Sequence, residues 1–170
     1  MTSRTIYLVS SRNAEFQRAH FAIFVPAATE PDQGTLIEAV GAPMTGYILE
    51  FKRNYSPIND TQEHYSLIPL GDVDAENIVD ATTDIKSTDY EPRGNIEIAA
   101  SQVTPPGISE NFLAPVNDRN NKRCQEWTME YIRHLVSKKL ITSEAIHTVQ
   151  SKRDPPSHGV GLQSTLRRSS

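Results

Sequence analysis

The sequence predicts an α+β fold: an antiparallel β-sheet of about five strands packed on a long helix toward the C-terminus. Three observations predict it. Short apolar runs divided by turn residues fill the first seventy positions. A stretch from about Asn121 to Lys139 repeats its apolar residues at helical spacing. Between them, residues 80–121 hold Pro92, Pro105, Pro106 and Pro115 and few apolar runs. Strands first and helices afterwards mark α+β rather than an alternating α/β chain.

Ile6–Val9 reads as a first strand, followed by a polar loop to Arg18. His20–Val25 is a second, stopped by Pro26, and Thr35–Val40 a third, stopped by Gly41. Tyr47–Tyr55 alternates apolar and charged residues, the pattern of a half-exposed strand. Tyr65–Leu70 is a fifth, with Pro69 at an end, edge or bulge. Strands this closely spaced suggest an antiparallel meander. Asp74–Val79 reads as a short helix with Asp74 as its cap, and Ile96–Ile98 as a brief strand. In the long helix, Trp127, Tyr131, Leu135 and Val136 share a face flanked by Cys124, Thr128 and Ile132. Asn120 or Asn121 is its expected cap, and Lys138 and Lys139 suit its C-terminal end. A second helix is expected to start at Thr142. Residues 1–151 make the expected single domain, with 80–121 as an irregular cleft wall. Lys152–Ser170, polar and rich in Pro and Gly, reads as a dispensable disordered tail.

The formal charge is −4, from 17 basic and 21 acidic residues. The expected tail holds four basic residues and one acidic, so the body carries 13 against 20, or −7. Tracking a phosphate backbone needs clustered Lys and Arg, so no nucleic-acid partner is expected. No apolar run is long enough to span a membrane, and Met1–Arg4 opens no signal peptide. The lone Cys124 excludes an internal disulfide and a cysteine zinc cluster, and suits a reducing, cytoplasmic setting. No metal-ligand spacing, phosphate loop, nucleophile elbow or dinucleotide fingerprint appears, so no cofactor or metal is expected.

Cys124 follows Lys122 and Arg123 and opens the long helix. Helix-terminal amides and nearby cations lower a thiol pKa. The alternative is an inert cysteine packed in the core. A thiolate nucleophile needs a base, and His20, at the start of the second strand, faces the same way as Ala22 and Phe24. Glu38 stands alone as a charge inside an apolar third strand, where it can orient an imidazole. Each has a plainer reading, a sheet-edge histidine and a solvent-facing glutamate. His64, His134, His147 and His158 show no metal-ligand spacing with a partner cysteine or carboxylate motif.

The histidine of Ala19-His20-Phe21-Ala22-Ile23-Phe24-Val25, a polar residue on the next strand, and a later helix-opening cysteine in Arg123-Cys124-Gln125-Glu126-Trp127 occur in a telling order. That order resembles the circularly permuted papain-like superfamily, which includes NlpC-related, lecithin:retinol acyltransferase-like and PPPDE proteins. The chain is similar also to small proteins of filamentous fungi with a comparable Gly34–Gly41 strand. The resemblance spans roughly residues 5–140. It implies Cys124 as nucleophile, His20 as general base and Glu38 as orienting residue, with Tyr7 and Gln125 in oxyanion or substrate binding. Glu38 departs from the histidine of acyltransferase-like relatives, and Arg123 from an asparagine common before the cysteine.

The implied function is a cysteine-dependent hydrolase or acyltransferase working through an acyl-enzyme on a small-molecule or acyl substrate, a thioester, ester or amide. Three readings compete: a PPPDE-type isopeptidase with an open groove, a cyclase, isomerase or hydrolase of a fungal biosynthetic pathway, and a binding module with an inactive site.

Overall fold

The computed structural model describes residues 2–62 and 64–159. Six strands form one antiparallel sheet: β1 (Ser3–Arg12), β2 (His20–Pro26), β3 (Gly34–Ala42), β4 (Gly46–Tyr55), β5 (His64–Asp74) and β6 (Ser87–Asp89). The spatial order is β5-β1-β2-β3-β4-β6. The meander therefore holds for β1–β4, while β5 returns to the far side of β1. A short helix, α1 (Pro57–Asp60), and the residues after it carry the chain over one face of the sheet on the way. Three larger helices follow: α2 (Gly94–Ser101), α3 (Cys124–Ser137) and α4 (Glu144–Lys152).

Side chains alternate between the sheet's two faces with the period of two that strands impose. Leu8, Phe21, Ile23, Ile37, Ala39 and Phe51 point into the main core, beneath Trp127, Tyr131, Ile132 and Leu135 of α3. Val9, Ala22, Phe24 and Leu36 form a smaller cluster on the opposite face, with Tyr7, Tyr55 and Tyr65 against it. Trp127 is fully buried, stacks on Tyr131 at 5.2 Å and donates its Nε1–H to the Val103 carbonyl. Helix and sheet thus pack as the periodicity predicts.

Several expectations fail for identifiable reasons. Ile96–Ile98 is not a strand but lies in α2, whose Ile96, Ala99 and Ala100 recur at helical spacing and are buried, whereas Ile98 is exposed. The expected helix after Asp74 shrinks to a single 3₁₀ turn, Ala75–Asn77. The long helix is 14 residues and starts at Cys124, and α4 follows it. The asparagines before it cap a loop instead. Asn117 Oδ1 accepts the amides of Arg119, Asn120 and Asn121, and Asn121 Nδ2 donates to the Ala114 and Pro115 carbonyls. Arg123 is the extended residue before the helix, and its N–H is taken by Glu126 Oε1 at 3.0 Å.

The expected tail also begins too early. Arg153–His158 lies against the body, with Val116 N–H donating to the Pro156 carbonyl and Arg18 to that of Pro155. The rest of the expected tail, 160–170, lies outside the described residues.

Candidate active site

The β2–β3 ladder pairs Ile23 with Ile37 and runs to Pro26 and Gly34. Toward His20 it stops, and α3 packs against both strands. That placement brings Cys124 to His20. Both side chains line one cavity of about 450 Å³ on the face of the smaller apolar cluster, with Glu38, Lys52 and Tyr47. Val9, Ala22 and Leu36 form its floor, and Asp60–Gln62 overhang it.

The polar geometry is a relay. His20 Nε2 lies 2.7 Å from Glu38 Oε1, and Lys52 Nζ pairs with Glu38 Oε2 at 2.7 Å. Glu38 is buried, whereas the His20 side chain keeps 37% of its exposure and is reachable from the cavity. Nε2 is engaged by Glu38, the Cys124 thiol reaches the Ala19 carbonyl at 3.9 Å, and the charges of thiol and imidazole act on each other across the cavity they share. Burial alone would push the Cys124 pKa up; the His20 charge, the His20 hydrogen bond and the Phe21 amide outweigh it and hold the thiol below its usual range. Burial likewise disfavours a charged His20. The Cys124 thiolate and Glu38 overcome that and push its pKa up to about 10. Glu38 stays ionised below the usual carboxylate range, because His20 and Lys52 outweigh its burial. The Cys124 and His20 shifts both favour the thiolate–imidazolium form of the pair.

A second network, missed in the sequence, ties β2 to the start of α3. Asp154 Oδ2 accepts the Ala19 amide and the Gln125 Nε2–H, both at 2.8 Å, and Oδ1 pairs with Arg12 at 2.9 Å. The buried Glu126 carboxylate is held by Arg18 at 3.0 Å and Arg153 at 2.9 Å. Ala19 precedes His20, and Gln125 and Glu126 follow Cys124. The chain after α4 thus ties the strand that carries His20 to the helix that carries Cys124.

Of the five expected site residues, Cys124, His20 and Glu38 come together and two do not. Gln125 is fully buried; its amide gives both hydrogens to Ala19 O and Asp154 and receives Arg18 and the Asp154 amide on Oε1. Nothing remains for a substrate. Tyr7 pairs with Phe24, four residues or about 13 Å along β2 from His20, and lines a different cavity with Pro57, Tyr65 and Leu67. Residues 80–121 do not line the Cys124 cavity either; Val103–Ile108 and Arg119–Asn120 border a separate polar one against α3. Lys52 was concealed in the alternating pattern of β4. Among the described residues, no three His, Cys, Asp or Glu side chains are grouped to hold a metal ion, and no helix is long and apolar enough to cross a membrane.

Residues 6–142 match a family described as a family of unknown function, DUF6540. The chain belongs to the DUF6540 family. The matched span holds His20, Glu38, Lys52 and Cys124, and ends before Asp154. No curated protein and no solved structure matches this DUF6540 member.

Proposed function

We propose that the protein is a cysteine-dependent hydrolase or acyltransferase that forms an acyl-enzyme on Cys124 from a thioester, ester or amide. The observation that carries this reading is that Cys124 and His20 line one cavity, with the His20 Nε2 held at 2.7 Å by buried Glu38. The Cys124 sulfur lone pair forms a bond to the acyl carbon while the carbonyl π pair moves to oxygen. When the C=O re-forms, the leaving group departs with its electron pair and takes a proton from the His20 imidazolium. Water, or an alcohol or amine acceptor, then gives its proton to His20, attacks the thioester carbon and releases the thiolate.

A permuted papain-like architecture is part of the proposal. Its support is the histidine strand preceding the cysteine helix in the chain, and the packing of that helix on β2 and β3. A cavity of about 450 Å³ falls in the size range of small-molecule sites, which favours a compact acyl substrate over a protein tail. The test is intact-mass analysis after mixing with p-nitrophenyl acetate at neutral pH. A +acetyl species on the wild-type chain, absent from Cys124→Ser, is the expected result. Hydrolysis without a Cys124 adduct would count against covalent catalysis.

A further inference from the structure

We propose that Tyr47 is a catalytic residue, donating its hydroxyl hydrogen bond to the carbonyl oxygen as that oxygen becomes negative. This rests on the acyl-enzyme reading. Thiolate attack places charge on an oxygen that needs preorganised donors. One is the Cys124 amide, at the first turn of α3, where N–H groups have no intrahelical acceptor. A second must come from a side chain on the helix side of the cavity.

Most other donors that line the cavity are engaged or stand elsewhere, and Gln62 belongs to the segment after α1, on the connection to β5 rather than on the sheet. The Gln125 amide is saturated. Tyr55 Oη is bonded to Thr61 at 2.6 Å, and Lys52 is paired with Glu38. Ser11 stands opposite His20 on β1, on the side of the base. Tyr47 shares the cavity with Cys124, and its hydroxyl has no hydrogen-bond partner among the described residues. The charges acting on it are those of the α3 start, Cys124 first, then Arg123 and Glu126.

Its placement is rigid. The Tyr47 ring packs on the main core, and its N–H donates to the Pro106 carbonyl at 2.8 Å. Across the ladder stands Gly41, at φ 149°, where a Cβ would come within 2.9 Å of Tyr47 Cα. Burial and the neighbouring thiolate raise the Tyr47 pKa, so the phenol stays a neutral donor. It keeps its proton throughout; the proton for the leaving group comes from His20.

The experiment compares two reactions of one sulfur in wild type and Tyr47→Phe. Acylation by p-nitrophenyl acetate develops an oxyanion, whereas alkylation by iodoacetamide, a displacement at a CH₂ carbon, does not. Tyr47→Phe is expected to slow acylation roughly 100-fold and leave the alkylation rate and its pH profile unchanged. Equal acylation rates would overturn the assignment. Parallel loss of both reactions would overturn it too, since Tyr47 would then only support the thiolate. No acylation of wild type, with alkylation intact, would instead bring down the acyl-enzyme reading itself.

Discussion

Two buried carboxylates, one on a helix and one on the sheet, are partnered in opposite ways. Glu97 of α2 is clamped by Arg53 of β4 in a bidentate pair at 2.6 and 2.8 Å, and Arg53 also reaches Asp89 and the Glu91 carbonyl. Arg53 is 5% exposed, and its guanidinium does not titrate. Every valence there is used in joining β4, β6 and α2. Glu38 of β3 is as deeply buried, but its partners are an imidazole and an ammonium that both open on a cavity. One ring nitrogen of His20 is spent on Glu38, while the ring lines the cavity that Cys124 also lines. A buried charge is left open to solvent and ligand when its partner is titratable and faces a cavity rather than the core.

Breaking the closed pair should cost the most stability and the least reactivity. Arg53→Ala strands Glu97, and urea denaturation should show a loss of ~3–5 kcal/mol. In the variant that remains folded, the pH dependence of Cys124 alkylation should be unchanged. A shifted profile would mean that the two clusters are coupled.

Removing the chain after Ser151 comes next. It deletes Asp154 from Ala19 and Gln125 and leaves Glu126 with one arginine fewer. Unsatisfied buried partners should cost at least ~1–3 kcal/mol, and acylation of Cys124 should slow with it. A truncated chain of full stability and rate would restore the dispensable tail that the composition suggests.

Glu38→Gln acts on the open cluster. It removes the negative charge that favours the imidazolium, so the His20 pKa falls and the thiolate loses support. The acid limb of Cys124 alkylation should move upward by about one pH unit. Lys52→Met is the mildest change. Lys52 is partly exposed, so stability should drop by only ~0.2–1 kcal/mol, and the limb should hardly move. A larger shift than that of Glu38→Gln would make Lys52, rather than Glu38, the group that sets the site's charge.

What was legible in the sequence were residues that contradict their surroundings. A lone glutamate in an apolar strand, a histidine at a strand start and a cysteine at a helix start are local anomalies, and all three converge. Tyr47 is no anomaly, since a tyrosine suits an alternating strand; only the third dimension shows where its hydroxyl stands. Gln125 looked available beside Cys124 because burial does not show in a motif. The segment 153–158 read as tail because proline, glycine and charge imply no core. Its order comes from Arg12, Arg18 and Gln125, more than a hundred positions upstream or some thirty away. α2 was misread because two isoleucines flanking a glutamate mimic a strand over three residues, while the buried Glu97–Arg53 pair is tertiary.

The most direct test is the rate of Cys124 alkylation by iodoacetamide across pH, in the intact chain and in His20→Ala. The thiol is held below its usual range and the imidazole up to about 10, and both shifts favour a thiolate–imidazolium pair. The rate should stay on a plateau from alkaline pH down through neutrality and fall only on the acid side. His20→Ala should lose the plateau. A wild-type rate that climbs steadily to a midpoint near ~8.5, as for a free thiol, and a His20→Ala profile that matches it, would contradict the thiolate–imidazolium pair.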